Sequence, residues 1–244
     1  MRLYGLLGRN IDYSFSRKYF TEKFNNERIK DAVYQNFDVQ SINDFSTIIQ
    51  QNPTLKGLNV TIPYKEQIIP YLTEVSEQAL QIGAVNTVKI VDRNNIIGYN
   101  TDVYGFEMSL FPMLKPTDTK ALIFGTGGAS KAVQYVFNQK GIIFKVVSRN
   151  IDQFNTIGYD KVNDLLPSHT ILINTTPLGT FPNVDQTLDI NYNLLAKTHL
   201  VFDLVYNPKE TLLMKKAKSQ GAKTQNGYHM LVNQAEKSWE IWNS

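Results

Sequence analysis

In a chain of 244 residues with no cysteine and only three histidines, proton chemistry falls first to lysine and carboxylate side chains. Two of these stand in unusual surroundings. Lys65 closes the run Asn59-Val60-Thr61-Ile62-Pro63-Tyr64-Lys65, and Asp102 closes Asn100-Thr101-Asp102. Lys65 follows a proline at the predicted start of a short helix, where the positive end of the helix dipole repels a cation, and a functional role is one explanation of that cost. Asp102 sits where an apolar strand gives way to a helix, a position that also suits a simple N-cap. Brought together, the carboxylate would orient the ammonium while desolvation eased its deprotonation, a pair suited to proton transfer. Ala84-Val85-Asn86-Thr87 places further small polar groups at a strand edge. In Asp12-Tyr13-Ser14-Phe15-Ser16, an extended chain would turn Ser14 and Ser16 the same way, able to grip a carboxylate or polyol. A cap on the following helix is the better reading of Ser16.

A second constellation is Lys120-Ala121-Leu122-Ile123-Phe124-Gly125-Thr126-Gly127-Gly128-Ala129-Ser130-Lys131-Ala132, an apolar strand that runs into a glycine-rich turn and opens a helix. That is the setting a dinucleotide fingerprint requires. Gly125 permits the tight turn and Gly127 lets a pyrophosphate approach the backbone, with Ser130 at the place of the third glycine. The next strand ends in Val146-Val147-Ser148-Arg149-Asn150, about 20 residues on, where an acidic residue would bind the ribose hydroxyl of NAD. The planar fork of Arg149 instead suits a 2′-phosphate, with Ser148 and Asn150 adding hydrogen bonds, so NADP is expected over NAD. A solvated arginine at a strand end is the plainer alternative.

These residues need a scaffold, and the apolar patterning supplies one. Strands are expected at 3–7, 34–39, 57–62, 87–92, 96–99, 121–124, 142–147, 170–174 and 200–204. Helices are expected at 16–24, 42–50, 74–81, 103–111, 130–139, 209–220 and 228–242. Alternation of this kind, with buried apolar strands, predicts an α/β protein whose sheets are parallel and covered on both faces. Prolines 112 and 116 punctuate a boundary near 102–119, and Asn226-Gly227 marks a second before an isolated amphipathic helix with Leu231, Val232, Ala235, Trp239 and Trp242 on one face. That helix must cover either the middle sheet or the first domain. Asn59-Val60-Thr61-Ile62-Pro63, Asn174-Thr175-Thr176-Pro177 and Tyr206-Asn207-Pro208 each end a strand with polar residues and a proline. They either floor a ligand cleft or simply terminate strands.

Composition removes several classes. Without cysteine there is no disulfide framework, thiolate nucleophile or Cys-rich zinc site. A net charge of +3 with no run of five like charges does not argue for a nucleic-acid or membrane partner. No stretch approaches the roughly 18 apolar residues of a spanning helix, and the amino-terminal apolar run is too short for a signal peptide, so a soluble cytoplasmic protein is expected. His169, His199 and His229 have no neighbouring acid or metal-ligand spacing and are expected to be surface or helix residues; no metal site is expected.

With these residues in hand, the chain resembles the shikimate dehydrogenase family, NADP-dependent enzymes of aromatic amino-acid biosynthesis, along essentially its full length. The motifs fall in the family's order: Ser14-Phe15-Ser16, the Asn59 to Lys65 run, Gly83-Ala84-Val85-Asn86-Thr87, Asn100-Thr101-Asp102, the Gly125 turn, Asn174-Thr175-Thr176-Pro177, Tyr206-Asn207-Pro208 and Asn226-Gly227-Tyr228-His229-Met230-Leu231-Val232-Asn233-Gln234-Ala235. The resemblance implies an N-terminal α/β substrate domain with a mainly parallel sheet, 1–102 and 227–244, and a Rossmann-like NADP-binding domain, 103–226, with a cleft between them. It implies catalysis by Lys65 and Asp102. Substrate contacts map onto Ser14, Ser16, Asn59, Thr61, Lys65, Asn86, Asp102, Tyr206 and Gln234. Cofactor contacts map onto Glu77, Gly125, Thr126, Gly127, Gly128, Ala129, Ser148, Arg149, Asn150, Thr175, Leu204 and Gly227. The family's usual Asn-Arg-Thr at the 2′-phosphate stands here as Ser148-Arg149-Asn150, which keeps the arginine, and loops such as 158–167 are compact.

The implied reaction is reversible reduction of 3-dehydroshikimate to shikimate, on a small molecule, by a monomer or homodimer. One rival is a quinate/shikimate dehydrogenase with relaxed NAD and NADP use, which an acidic residue beside Arg149 would favour. A methyltransferase could use the glycine turn but would leave Lys65 and Asp102 unexplained. A non-catalytic ligand sensor of the same fold is the third, against which both residues argue.

Overall fold

Continuous apolar runs become the strands of two separate sheets. The computed structural model describes residues 1–12, 14–151 and 155–244. They divide into two units, Met1–Thr101 with Ala235–Ser244, and Asp102–Gln234.

The first unit contains β1 (Arg2–Gly8), α1 (Phe15–Asn26), β2 (Ala32–Asp38), α2 (Phe45–Gln51), β3 (Leu55–Val60), β4 (Glu74–Val75), α3 (Glu77–Ile82), β5 (Thr87–Asp92) and β6 (Asn95–Tyr99). Its sheet has the order β2-β1-β3-β5-β6-β4. β1 is parallel to both β2 and β3, and Leu7 and Leu58 are fully buried there. β5 runs antiparallel to both β3 and β6, so this sheet is mixed rather than wholly parallel. The reason is the connection Arg93-Asn94, since so short a link can join only antiparallel neighbours. The Asp92 side chain accepts from Asn94 N at 2.7 Å and fixes that turn. Register pairs Asn59 with Thr87 and Thr87 with Tyr99, which brings the end of β3, the start of β5 and the end of β6 to one rim of the sheet.

The second unit contains α4 (Asp102–Leu110), β7 (Lys120–Phe124), α5 (Gly128–Lys140), β8 (Ile143–Val147), β9 (Thr156–Ile157), α6 (Val162–Leu165), β10 (Ile171–Asn174), β11 (Leu200–Asp203), α7 (Leu212–Ser219), β12 (Lys223–Asn226) and the start of α8 (Tyr228–Asn243). Its sheet, β12-β11-β10-β7-β8-β9, is parallel throughout. The order reverses between β7 and β10. In such sheets that is where ligands bind, beyond the carboxyl ends of the strands.

Three strands and one helix escape the sequence reading, because β4, β9 and α6 are short and β12, Lys223-Thr224-Gln225-Asn226, has no apolar residue. The helix expected over 74–81 begins at Glu77, since the Ser76 side chain accepts from Ala79 N at 3.3 Å and caps it there. No α-helix forms at Lys65. Its segment is a chain of turns, with Tyr64 N donating to Thr61 O at 2.8 Å and Ile68 N to Tyr64 O at 2.9 Å, so the dipole cost inferred for Lys65 does not arise.

The division of the chain falls inside α8, eight residues later than the start expected for the returning tail. Close packing explains this: a Cβ on Gly105 of α4 would lie 2.5 Å from Met230 O, which holds the first turns of α8 in the second unit. The buried residues of α8 are Met230, Gln234, Ala235, Ser238 and Trp242, whereas Leu231 and Val232, expected on the apolar face, are half-buried. Among the described residues, no helix is long and apolar enough to cross a membrane.

Candidate functional site

In the first unit the expected residues gather at the rim described above. Thr61 N donates to Leu7 O at 2.9 Å, which sets Thr61 just beyond the paired ends of β1 and β3. Asn59, one turn of the pleat earlier, is buried. Lys65 is half-buried, and its carbonyl accepts from Val85 N at 2.7 Å, tying the lysine segment to the one that leads into Asn86. Asn86 is buried, and its Oδ1 accepts from Thr101 N at 2.7 Å, so the residue before Asp102 is pinned to the same rim. Asp102 itself is buried, is the first residue of α4, and opens the second unit.

Ser14, not Ser16, caps α1: its Oγ accepts from Ser16 N at 3.2 Å. The pair is therefore a helix start and not an extended segment, with Ser14 half-buried and Ser16 buried. Tyr13 between them and Asp12 lies outside the described residues. Asp38 positions the approach to this serine pair, its two carboxylate oxygens accepting from Asn10 N and Ile11 N at 2.9 Å each. Local sequence gives no sign of that contact.

In the second unit the glycine turn sits at the point of strand reversal. Gly125 adopts a φ of 109°, and a Cβ there would lie 2.6 Å from Thr175 Oγ1, so both the backbone conformation and the space exclude a side chain. Thr175 completes the contact by donating from N and Oγ1 to Phe124 O at 2.9 and 2.7 Å. Thr126 is half-buried, Gly127 precedes α5, and Gly128 and Ala129 form its first turn. No atom lies within 4 Å of where a Cβ on Gly127 would be, a backbone open to close approach by a ligand. Ser130 Oγ donates to Gly125 O at 2.7 Å, which closes the turn from the third-glycine position. Ser148 Oγ accepts from Asn150 N at 3.1 Å, and Arg149 and Asn150 are exposed beside it. Gly227 N donates to Val205 O at 3.2 Å, and a Cβ on Gly227 would strike Leu204 O, so Leu204 and Gly227 meet backbone to backbone. Tyr206 is half-buried two residues on, and Gln234 is buried against Gly105. Glu77 is exposed in the first turn of α3, which makes it the one expected cofactor residue that belongs to the first unit.

The sequence reading missed Asp203. It is fully buried at the end of β11, and its carboxylate accepts from Asn174 Nδ2 at 2.8 Å, Val205 N at 3.1 Å and Thr211 Oγ1 at 2.6 Å. Asn174 Oδ1 in turn accepts from Thr176 N and Oγ1 at 3.0 and 2.6 Å. Asp203 thus links the loops after β10 and β11. Burial outweighs its three donors and pushes its carboxyl up from 3.8 to about 6. The native state therefore holds a proton that the unfolded chain has released between those values, and stability falls as pH rises through that window, by about 3 kcal/mol in all. An Asp203→Asn variant lacks that slope. Urea unfolding at pH 4.5 and 7.5 should show the variant gaining on the native protein at the higher pH; parallel pH dependence in the two proteins would disprove the assignment.

His169 and His199 are buried, contrary to expectation, while His229 is exposed on α8. His199 bridges loops, its Nδ1 accepting from Ala196 N at 3.0 Å and its Nε2 lying 3.0 Å from Leu166 O. Burial lowers the pKa of His169. Among the described residues no group of three His, Asp or Glu could hold a metal ion.

A model of the shikimate dehydrogenase substrate binding domain matches residues 6–88. The shikimate dehydrogenase (NADP(+)) of Methanococcus aeolicus is 37% identical over 99% of this chain and 91% of its own length. The chain belongs to the shikimate dehydrogenase family. Solved structures of the family agree: shikimate dehydrogenase from Aquifex aeolicus superposes with a TM-score of 0.87 at 33% identity, covering 100% of this chain and 92% of that one. The Thermus thermophilus shikimate 5-dehydrogenase in complex with NADP(H) and shikimate gives 0.85 at 26% identity, covering 99% and 93%. The two-domain α/β architecture of the family, with one mixed and one parallel sheet, is the architecture of this chain.

Proposed function

We propose that the protein catalyses the reversible NADPH-dependent reduction of 3-dehydroshikimate to shikimate, in the route to chorismate and the aromatic amino acids. The observation that carries this reading is the polar rim of the first sheet, where Asn59, Thr61, Asn86 and the Lys65 segment converge through β3, β5 and β6. Amide and hydroxyl groups at one rim, with a lysine in the adjoining segment, suit a hydroxylated ring with a ketone. The segment 1–102 with 227–244 serves substrate and catalysis, and 103–226 serves the cofactor.

Lys65 gives its proton to the oxygen of the ketone as that oxygen gains negative charge, and its cationic head stabilises the charge before transfer. In the reverse direction it takes the proton back. Asp102 accepts a hydrogen bond from a ring hydroxyl, Ser14 and Ser16 hold the carboxylate, and Asn59, Thr61, Asn86, Tyr206 and Gln234 orient the ring. When bound, NADPH supplies the hydride. The open backbone at Gly127 and the positive φ of Gly125 fit its pyrophosphate. Thr126, Gly128 and Ala129 complete that turn, Ser148, Arg149 and Asn150 would hold the 2′-phosphate, Thr175, Leu204 and Gly227 would be further cofactor contacts, and Glu77 would stand near the nicotinamide side. The setting is cytoplasmic, the protein a monomer or homodimer, with neither nucleic acid nor membrane as partner.

Purified protein supplied with shikimate or quinate, and with NADP or NAD, should form reduced nicotinamide fastest from shikimate and NADP. Absence of absorbance change in all four mixtures would rule the enzyme out. A faster reaction with quinate and NAD would favour the relaxed dehydrogenase.

A further inference from the structure

Ser238 lies on α8, fully buried on the helix stripe it shares with Gln234, Ala235 and Trp242. Its Oγ is 2.9 Å from Asn59 Nδ2, 2.7 Å from Thr87 Oγ1 and 3.2 Å from Thr101 Oγ1. All of these residues belong to the first unit.

The amide orientations at the two ends of this cluster follow from the groups that face them. Thr101 N–H has no acceptor capacity, so Asn86 must turn Oδ1 toward it, at 2.7 Å. Thr101 Oγ1 and Thr87 Oγ1 lie 3.2 Å from the same oxygen. With three donors around Oδ1, the orientation of the Asn86 amide is set. At the other end Tyr34 OH donates to Asn59 Oδ1 at 2.8 Å, which turns Asn59 Nδ2 to Ser238. Ser238 Oγ accepts that bond and lies within hydrogen-bond reach of both threonine hydroxyls, which are 3.1 Å apart. A connected hydrogen-bond chain thus runs from Tyr34 through Asn59, Ser238 and the threonines to Asn86.

We propose that Ser238 is a positioning residue for the substrate, fixing the side-chain amide orientations of Asn59 and Asn86 through one shared hydroxyl. The proposal rests on the reading of Asn59 and Asn86 as substrate contacts. Replacing Ser238 by Ala removes the short partner of Asn59 Nδ2, whose next neighbour, Thr87 Oγ1, is 3.5 Å away. Both amides then lose part of what holds them before substrate arrives.

The test is steady-state kinetics of Ser238→Ala, Ser238→Cys and Ser238→Thr beside the native protein, each with a thermal melt. KM for shikimate should rise about fivefold in the Ala and Cys variants, the size of one neutral hydrogen bond. KM for NADP should stay within about twofold, and Ser238→Thr, which keeps the hydroxyl, should recover the lower KM. A purely structural serine would lower the melting temperature without separating the two KM values, and that result overturns the proposal, as does an unchanged KM for shikimate in folded Ala and Cys variants. A native protein inactive on shikimate overturns the functional reading, and the proposal with it, before any variant is compared.

Discussion

A Lys65→Met variant should lose about a thousand-fold in kcat, while its KM for shikimate changes only a few-fold. The size follows from what the side chain is asked to do, because a positioned general acid contributes roughly 10² to 10⁴ in rate. The split between the constants follows from the geometry. Methionine keeps the length of the unbranched stem and removes only the ammonium, and the backbone hydrogen bond from Val85 N to the carbonyl of residue 65 does not depend on the side chain. The rim formed by Asn59, Thr61 and Asn86 therefore stays assembled, and the substrate retains most of its contacts. What is lost is a proton and a positive charge at the oxygen where negative charge develops, an interaction stronger in the transition state than in the ground state. Initial rates at saturating NADP, combined with calorimetric titration of shikimate, separate the two effects. A variant turning over within tenfold of the native protein would remove Lys65 from proton transfer. A variant with normal kcat and a much raised KM would make it a binding residue only.

Legibility from sequence tracked the range over which each signal acts. The strand, glycine turn and helix around Gly125 were readable because the physical requirement, backbone φ and a helix N-terminus, is met by residues adjacent in the chain. The parallel sheet of the second unit was readable for a similar reason, each strand being a short apolar run. Lys65 could be picked out by type, but the helix assigned to it was wrong, because nothing local distinguishes a helix start after Pro63 from consecutive turns. The antiparallel half of the first sheet was written in Asp92-Arg93-Asn94-Asn95, a link too short for a parallel crossover, yet alternation along the whole chain pointed the other way. Asp203 and Ser238 were illegible. Asp203 looks like any polar residue at a strand end, and its burial is matched by Asn174 at the end of β10 and Thr211 at the start of α7, both distant in local sequence terms. Ser238 shares a helix stripe with Ala235 and Trp242, so the spacing allows its burial, but nothing local shows the partner it finds in Thr87, 151 positions away.

Trp242→Ala should destabilise the protein by about 4 kcal/mol, the range for truncating a large buried aromatic side chain. Against the typical 5–15 kcal/mol that separates folded from unfolded domains, that is a large share of the total. The ring is buried at the carboxyl end of α8 and stacks on Tyr4 with centroids 5.0 Å apart, and Phe20 lies 5.4 Å away. Gly57 makes room for it: a Cβ at that position of β3 would run into the indole. The indole Nε1 donates to Val88 O at 3.0 Å, so truncation also leaves a buried carbonyl of β5 without this partner, a further cost on top of the cavity. Trp242→Phe separates these contributions, since it keeps most of the apolar volume and loses only the donor; it should cost about 1–2 kcal/mol. Urea denaturation of the three proteins at neutral pH measures both differences, and an Ala variant within 1 kcal/mol of the native protein would mean that α8 is held by something other than this cluster. The consequence reaches function because Ser238 sits one turn before Trp242. If the last turns of the helix fray, the hydroxyl that orients Asn59 leaves with them, so the Ala variant should show a raised KM for shikimate even under conditions where most molecules remain folded, whereas Trp242→Phe should not.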